Sequence, residues 1–503
     1  MLQAEVILDR DFSIGAVDRR LFGTFVEHMG RCVYGGIFEP GDPAADERGF
    51  RRDVLALVRE LGATIVRYPG GNFVSGYDWE DGVGPIEQRP VRLDLAWNSI
   101  ETNRFGTNEF IDWCRAAAVE PMLAVNLGTR GPDAARKLIE YCNFPGDTAL
   151  SDLRRRHGYS APHAIRLWCL GNEMDGRWQM GAKTATEYGR IAAEAAKLMK
   201  WVDTSIELVA CGSSNPDMAS FAAWEEEVLR HTLPHADYIA LHAYFDKRAT
   251  DTAGFLASAD VMDRFIKEVA AVCDSVAAQL RSERRIMICF DEWNVWYRTR
   301  DSIRRDNLAW SFAPALIEEI YNMEDALVVG GALITLLNNV DRVRVACLAQ
   351  LVNVIAPIMA ERGGPTWRQT IFYPFAQAAR FGKGQALRSV VHSPAYATEK
   401  IAPVPYLLLA AVLDPIKHEL TLFAINRSLT EPLLMDVELR AFPKLAVMRA
   451  IELRHDDLQA ANSKERPDCV LPVETAGAAC RDAHLRATLK PASWNLIRLA
   501  ATD

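Results

Sequence analysis

Two apolar runs in this 503-residue chain end in a glutamate. Ile165-Arg166-Leu167-Trp168-Cys169-Leu170 leads into Gly171-Asn172-Glu173-Met174-Asp175-Gly176. Ile286-Met287-Ile288-Cys289-Phe290 leads into Asp291-Glu292-Trp293-Asn294. Short apolar runs of this kind read as buried parallel strands. A carboxylate just past the C-terminal end of such a strand stands where parallel α/β barrels place their chemistry. One glutamate there is more often a solvated strand end or an ion-pair partner. Two of them, each beside Asn or Trp, point to an acid/base paired with a nucleophile, the pair that glycoside hydrolysis requires. Retention, with carboxyl groups about 5–5.5 Å apart, and inversion, with about 6.5–9.5 Å, are both open from spacing alone.

The elements that must position this pair show as an alternation. Strand-like runs fall at residues 22–27, 64–68, 122–126, 166–171, 207–211, 238–242, 287–290 and 328–336. Helical patterns precede most of them, at 51–61, 108–118, 133–141, 185–199, 218–231, 259–280 and 308–321. Eight such units predict an α/β protein with a closed (β/α)8 TIM barrel over residues 16–385. A doubly wound open sheet is the alternative, but no glycine-rich dinucleotide fingerprint follows an early strand. After residue 386 the texture changes to β-type runs at 404–409, 420–426, 434–439, 447–453 and 493–499. These predict an all-β, jelly-roll-like sandwich over residues 386–503. Residues 1–15 also read as a strand and are expected to join it.

Composition narrows the function. Hydrophobic residues at 49% and charged residues at 24% are those of a soluble globular protein. The net charge of -9 argues against nucleic acid or an anionic membrane as partner. The first residues lack the basic and apolar regions of a signal peptide, and no stretch approaches the ~20 apolar residues of a membrane span. A cytoplasmic protein is expected. Several of the 10 cysteines, among them Cys169, Cys211, Cys289 and Cys347, sit in strand-like runs and read as buried hydrophobes in a reducing compartment. His28, His242, Glu27 and Asp291 follow three different strands, so a metal-dependent hydrolase is a competing reading. No HxH, HExxH or CxxC spacing supports it, and neither metal nor cofactor is expected.

Longer strings carry more information than paired carboxylates. They are Phe22-Gly23-Thr24-Phe25-Val26-Glu27-His28 with Tyr34-Gly35-Gly36, and Arg67-Tyr68-Pro69-Gly70-Gly71-Asn72-Phe73-Val74-Ser75-Gly76-Tyr77. With them go Leu167 to Gly176, Asp291-Glu292-Trp293-Asn294-Val295-Trp296-Tyr297, and Ala349-Gln350-Leu351-Val352-Asn353. Together they resemble the motifs of family fifty-one glycoside hydrolases, the α-L-arabinofuranosidases, over nearly the whole chain. The resemblance implies a barrel joined to a β-sandwich. It implies an exo-acting, retaining enzyme that removes terminal α-L-arabinofuranosyl residues from oligo- and polysaccharides. A homo-oligomer, a hexamer by analogy, is implied as well.

The same resemblance assigns roles. Glu292 is the nucleophile and Glu173 the acid/base. Arg67 holds Glu292 ionised, since a nearby cation favours the charged carboxylate. Tyr244, after His242 on the sixth barrel strand, donates a hydrogen bond to Glu292, and His242 belongs to the same substrate site. Partial burial and the Glu292 charge keep Glu173 protonated until it is needed. Asn172 holds the sugar 2-hydroxyl, while Glu27, the Gly71 backbone, Asn72 and Gln350 grip the other hydroxyls. Trp97, Trp178 and Trp296 offer stacking surfaces. The loop Phe245-Asp246-Lys247-Arg248-Ala249-Thr250 departs from the family's forms and is expected to border the leaving group. Another retaining glycosidase of the same barrel clan, a β-xylosidase or an endo-glucanase, is the alternative from the same chemistry. A non-catalytic carbohydrate-binding protein is the alternative from another class, and it would have no need of both glutamates.

Overall fold

Each short apolar run between amphipathic helices pairs with the next one in sequence. The protein, seen in a computed structural model, is described over residues 1–296 and 309–502. Strand β1 (Leu2–Ala16) comes first and lies outside the barrel. The barrel strands are β2 (Gly23–Phe25), β3 (Ile65–Tyr68), β4 (Glu120–Ala124), β5 (Leu167–Leu170), β6 (Glu207–Cys211), β7 (Tyr238–Phe245), β8 (Met287–Val295) and β9 (Val343–Ala349). They are joined in that order, all in parallel, and β9 pairs back onto β2 to close the ring. Helices α1 (Arg52–Leu61), α2 (Thr107–Ala117), α3 (Pro132–Asn143), α4 (Ala149–Arg156), α5 (Ala185–Val202), α6 (Ala223–Thr232), α7 (Thr252–Leu256), α8 (Ser258–Gln279), α9 (Met323–Asn338) and α10 (Phe372–Phe381) lie between or after them. Their apolar residues recur at helical spacing: α1 buries Val54, Leu57, Val58 and Leu61.

The last barrel unit corrects the sequence reading. Residues 328–336 are not a strand but the middle of α9, and the closing strand is β9, fifteen residues beyond Val328. No helix occupies residues 309–321; Leu308, like Tyr297, lies outside the described residues. The error has a physical origin. Every residue from Met323 to Leu337 is buried, so the run has no polar face to betray a 3.6-residue period. It is apolar all round because it is covered on both sides, by the barrel and by a second layer.

That second layer is one sheet. Its later strands are β10 (Gln385–His392), β11 (Leu407–Asp414), β12 (Glu419–Asn426), β13 (Leu433–Glu438), β14 (Leu445–Leu453), β15 (Val473–Glu474), β16 (Ala478–Arg481), β17 (His484–Leu489) and β18 (Ser493–Ala501). The order is β15-β14-β18-β12-β11-β10-β1-β13-β17-β16. The sheet rolls until β14 approaches β16, and it encloses a core of its own. The chain's first strand holds the middle, antiparallel to β10 and parallel to β13. Side chains alternate along β12: Leu420, Leu422 and Ala424 enter the sheet's own core, whereas Phe423 and Ile425 join the barrel core. Among the described residues no helix is long and apolar enough to cross a membrane.

Trp494 of β18 seals the two layers. It is fully buried, donates its indole N–H to Gln377 Oε1 of α10 at 2.7 Å, and lies flat over Gly330 of α9. A Cβ on Gly330 would come within 2.6 Å of the ring, so the helix needs a glycine there. Replacing Trp494→Ala empties this contact and strands the Gln377 oxygen. The expected loss is ~3–5 kcal/mol, seen as a lower thermal unfolding midpoint. An unchanged midpoint would show that the sheet does not brace the barrel through this residue.

Candidate active site

The barrel's C-terminal end gathers the chemistry through local irregularities. Along β7, His242 and Tyr244 are two residues apart and so point the same way. On β8, adjacent residues ought to point to opposite faces, yet Asp291 and Glu292 both contact Arg67. A register shift explains it: Cys289 pairs with Ala240, but Glu292 already pairs with His242, so β8 carries one extra residue. Such a bulge re-aims side chains. After β5 the chain turns through Gly171 at φ 94° and Glu173 at φ 44°. A non-glycine residue in that left-handed region stores ~1–3 kcal/mol. The turn is fastened by Asp175, which accepts the Ser214 N–H at 3.0 Å and the Ser214 hydroxyl.

Arg67 on β3 is the hub. Its Nη1 donates to Glu292 Oε1 at 2.7 Å, its Nη2 donates to Asn172 Oδ1 at 2.7 Å, and its Nε lies 3.0 Å from Asp291 Oδ2. The Tyr244 hydroxyl donates to the other Glu292 oxygen at 2.9 Å. Glu173 accepts the Trp178 indole N–H at 2.5 Å on Oε2, and its Oε1 lies 2.9 Å from His242 Nδ1. Burial pushes the Glu173 carboxyl above its usual range, against the His242 hydrogen bond and with help from the Glu292 charge. For Asp291 burial acts in the same direction, but Arg67 and His242 overcome it and hold the carboxyl below its usual range. One oxygen or nitrogen from each of Glu173, His242 and Glu292 lies within 4.8 Å of the others. The nearest carboxylate oxygens thus approach more closely than the ~6.5–9.5 Å by which an inverting pair is spread for its water, as a retaining pair requires.

The other sequence-derived residues surround this centre. Glu27 accepts the Phe73 backbone N–H and the Trp97 indole N–H on Oε1, both at 2.9 Å, and Gln350 Nε2 donates to its Oε2 at 3.1 Å. Burial raises Glu27 to about 8. Gly71 passes so close that a Cβ would lie 2.8 Å from Glu27 Oε2. A cavity of about 700 Å³ is lined by Glu27, Gly71, Asn72, Trp97, Glu173, Trp178, Tyr244, Glu292, Trp296 and Gln350. Trp296 stands edge-on to Tyr244, with ring centroids 5.2 Å apart. Asn172 Nδ2 and Gln350 Oε1 are buried without a partner. Each is a polar atom left for something that enters the site.

Three groups take places that the sequence did not give them. Asp291 was weighed from the sequence as a metal ligand; the bulge in β8 turns it instead onto Arg67. Ser214 to Asp217 follow β6 and line the outer cavity, and a turn after β6 could have been marked by barrel position alone. Thr398 to Ile401, from the sheet side of the chain, line the rim as well, with no local signal to announce it. Phe245, Asp246 and Thr250 of the divergent loop border the same outer space. The proposed metal quartet is dispersed. His28 is bonded to Glu101 at 2.8 Å and to Tyr68 at 2.7 Å, while Asp291 and Glu27 serve the partners already named. Glu173, His242 and Glu292 do converge, but around ring N–H and guanidinium donors that already answer their charge.

Comparison with known proteins finds relatives over nearly the whole chain. Residues 57–264 match the family described as Alpha-L-arabinofuranosidase 1 domain, and residues 291–493 match Alpha-L-arabinofuranosidase C-terminal domain. The chain is 54% identical, over 99% of each sequence, to an intracellular exo-α-(1→5)-L-arabinofuranosidase of Halalkalibacterium halodurans. It is 47% identical, over 99% of this chain and 97% of the other, to an exo-α-(1→6)-L-arabinofuranosidase of Bifidobacterium longum. The solved structure of a family 51 α-L-arabinofuranosidase from Bifidobacterium longum superposes with a TM-score of 0.95, at 44% identity and 99% coverage of both chains.

Arg67→Met keeps the bulk of the hub and removes its charge. Two carboxylates then stay buried without their cation, which costs ~3–5 kcal/mol. The sign with pH follows from Asp291, whose folded value is depressed. Its stabilisation is present above the unfolded value of ~3.9 and is lost as pH falls through the folded value. Without Arg67 only His242 still opposes the burial penalty, so acid unfolding is expected at a higher pH than in the parent. Equal acid midpoints by circular dichroism would refute the hub.

Proposed function

The chain belongs to the family 51 α-L-arabinofuranosidases, and from that premise we propose how its own residues do the work. It is an exo-acting, retaining α-L-arabinofuranosidase that takes terminal α-L-arabinofuranosyl residues from oligo- and polysaccharides. Glu292, between Arg67 and Tyr244, attacks the anomeric carbon. Glu173 protonates the leaving oxygen, and the glycosidic bond breaks as the ester to Glu292 forms. Glu173 then takes a proton from water, which attacks the same carbon and releases Glu292. The single observation that carries this reading is the pair of glutamates with oxygens within 4.8 Å, one against a guanidinium and the other pushed up by burial.

Asn172 leaves its Nδ2–H for the sugar 2-hydroxyl, a contact that strengthens in the transition state. Glu27, Gly71, Asn72 and Gln350 face the remaining hydroxyls; Trp97, Trp178 and Trp296 supply walls. The leaving-group side of the bond would meet the outer cavity, lined by Ser214 to Asp217, Phe245, Asp246, Thr250 and Thr398 to Ile401. We place the enzyme inside the cell, as the name of the Halalkalibacterium relative and ten free cysteines support. We also read it as a homo-oligomer, a hexamer by family analogy. Val91, Leu93, Leu95, Trp310 and Phe312 are large exposed apolar groups that support an interface. A sedimenting mass of a single chain would rule that out.

The two glutamates are separable by experiment. Glu173→Ala should cripple substrates with poor leaving groups, by roughly the 10²–10⁴-fold of lost general acid catalysis, and spare activated aryl arabinofuranosides in the first step. Azide should restore turnover and give an adduct of the substrate's own anomeric configuration. Glu292→Ala should lose both substrate types and yield, if anything, the inverted azide. A retained adduct from Glu292→Ala would reverse the assignment. Parent enzyme dialysed against EDTA should keep its rate and release a first product of retained configuration by proton NMR; an inverted sugar or a metal-restored rate would sink the mechanism.

A further inference from the structure

Both ring nitrogens of His242 face carboxylates. Nε2 lies 3.3 Å from Asp291 Oδ1, while Nδ1 lies 2.9 Å from Glu173 Oε1 and 3.5 Å from Glu292 Oε2. A neutral imidazole has one N–H and one lone pair. A lone pair on Nε2 would point at Asp291, which Arg67 keeps ionised. A lone pair on Nδ1 can accept from Glu173 while that carboxyl is protonated, but after the first step it would face the Glu173 carboxylate with no proton on either glutamate. Neither neutral tautomer suits both steps.

Charge conservation points the same way. Glu173, Glu292, Asp291, Arg67 and His242 are all buried, with at most 10% of any side chain exposed. Before the first step Glu173 is protonated, so Glu292 and Asp291 stand against Arg67 alone. After it, Glu173 is an anion and Glu292 an uncharged ester, so the balance is the same. With a neutral ring this buried set would carry an excess negative charge throughout, which a low-dielectric site penalises heavily. With an imidazolium it sums to zero in both states. The remaining neighbours do not remove the need for a cation. Asp175 adds negative charge and is occupied by Ser214; the Tyr244 phenol and the Cys169 and Cys211 thiols are all held neutral by burial.

We propose that His242 stays an imidazolium through both steps, its Nδ1–H held on Glu173 at 2.9 Å and near enough to Glu292, at 3.5 Å, to offset whichever of the two carries the negative charge. His242 is thus a positioning residue whose charge makes the exchange of roles isoelectric. This rests on the assignment of Glu173 as acid/base and Glu292 as nucleophile.

Neutron diffraction from deuterium-exchanged crystals of the parent enzyme tests the ring directly. At a pD about two units above the ordinary histidine value of ~6.5, deuterium is expected on both nitrogens. One bare nitrogen would overturn the proposal, whatever the azide products say about the glutamates. His242→Asn tests the consequence: it can keep a donor near Nδ1 but carries no charge. With a poor leaving group, both limbs of its kcat/KM profile should move to higher pH by ~1 unit or more, because an opposite charge has been taken from each glutamate. A lower rate with unmoved limbs would reduce His242 to packing. If the variant does not fold, the neutron result decides alone.

Discussion

Arg67 stands inside the barrel with 1% of its side chain exposed, and a guanidinium in that place is untenable unless every one of its faces is answered. Asp291, Glu292 and the Asn172 oxygen answer its edge, and the Phe25 ring lies under its plane at 4.7 Å. These partners come from β2, β8 and the loop after β5, so the ring of strands must be closed before the ion can be buried. The ion in turn fixes which way Glu292, the proposed nucleophile, points. One interaction thereby ties barrel closure to catalytic geometry.

Closure itself leans on a neighbour. Helix α9 covers the barrel beside β8 and β9 and has no solvent face, because the rolled sheet lies across it. Gly330 lets Trp494 sit against the helix backbone, and alternate residues of β12 reach into two different cores. The sheet is therefore not an appendage. It supplies the outer wall that the last helix of the barrel would otherwise have to make from its own polar side chains.

Much of this was legible in the chain. Seven of the strand candidates were readable because each barrel strand is a short apolar run set off by amphipathic helices. The eighth failed at residues 328–336, where burial on all sides erases the periodicity by which helix and strand are told apart. Strand β17 was missed although Leu485, Ala487 and Leu489 alternate cleanly inward; its exposed Arg486 and Thr488 masked the run as loop. At the site, motifs named both glutamates together with Glu27, Asn72, Asn172 and Gln350, and the fold gathers them at the C-terminal end of the barrel. The inward turn of Asp291 could not be read there, since it depends on one extra residue in a strand pairing. Nor could the rim, because Thr398 and its neighbours reach the cavity from a distant part of the sequence.

The floor of that cavity and its rim are built from different stock. Strands locked by hydrogen bonding and a buried ion pair hold the groups to which recognition and cleavage of one furanose are assigned. Tyr396, in a two-stranded ribbon with Val404 and Pro405, donates to the Ala253 carbonyl at 3.1 Å, and Thr398 to Ile401, which follow it, line the cavity. Selection acting on that segment, or on the loop after β7, could alter which chain is trimmed without disturbing the cleavage apparatus. The fold thus uncouples two kinds of evolutionary change: the bond-breaking centre is frozen by its own electrostatics, while the choice of polymer remains open to drift.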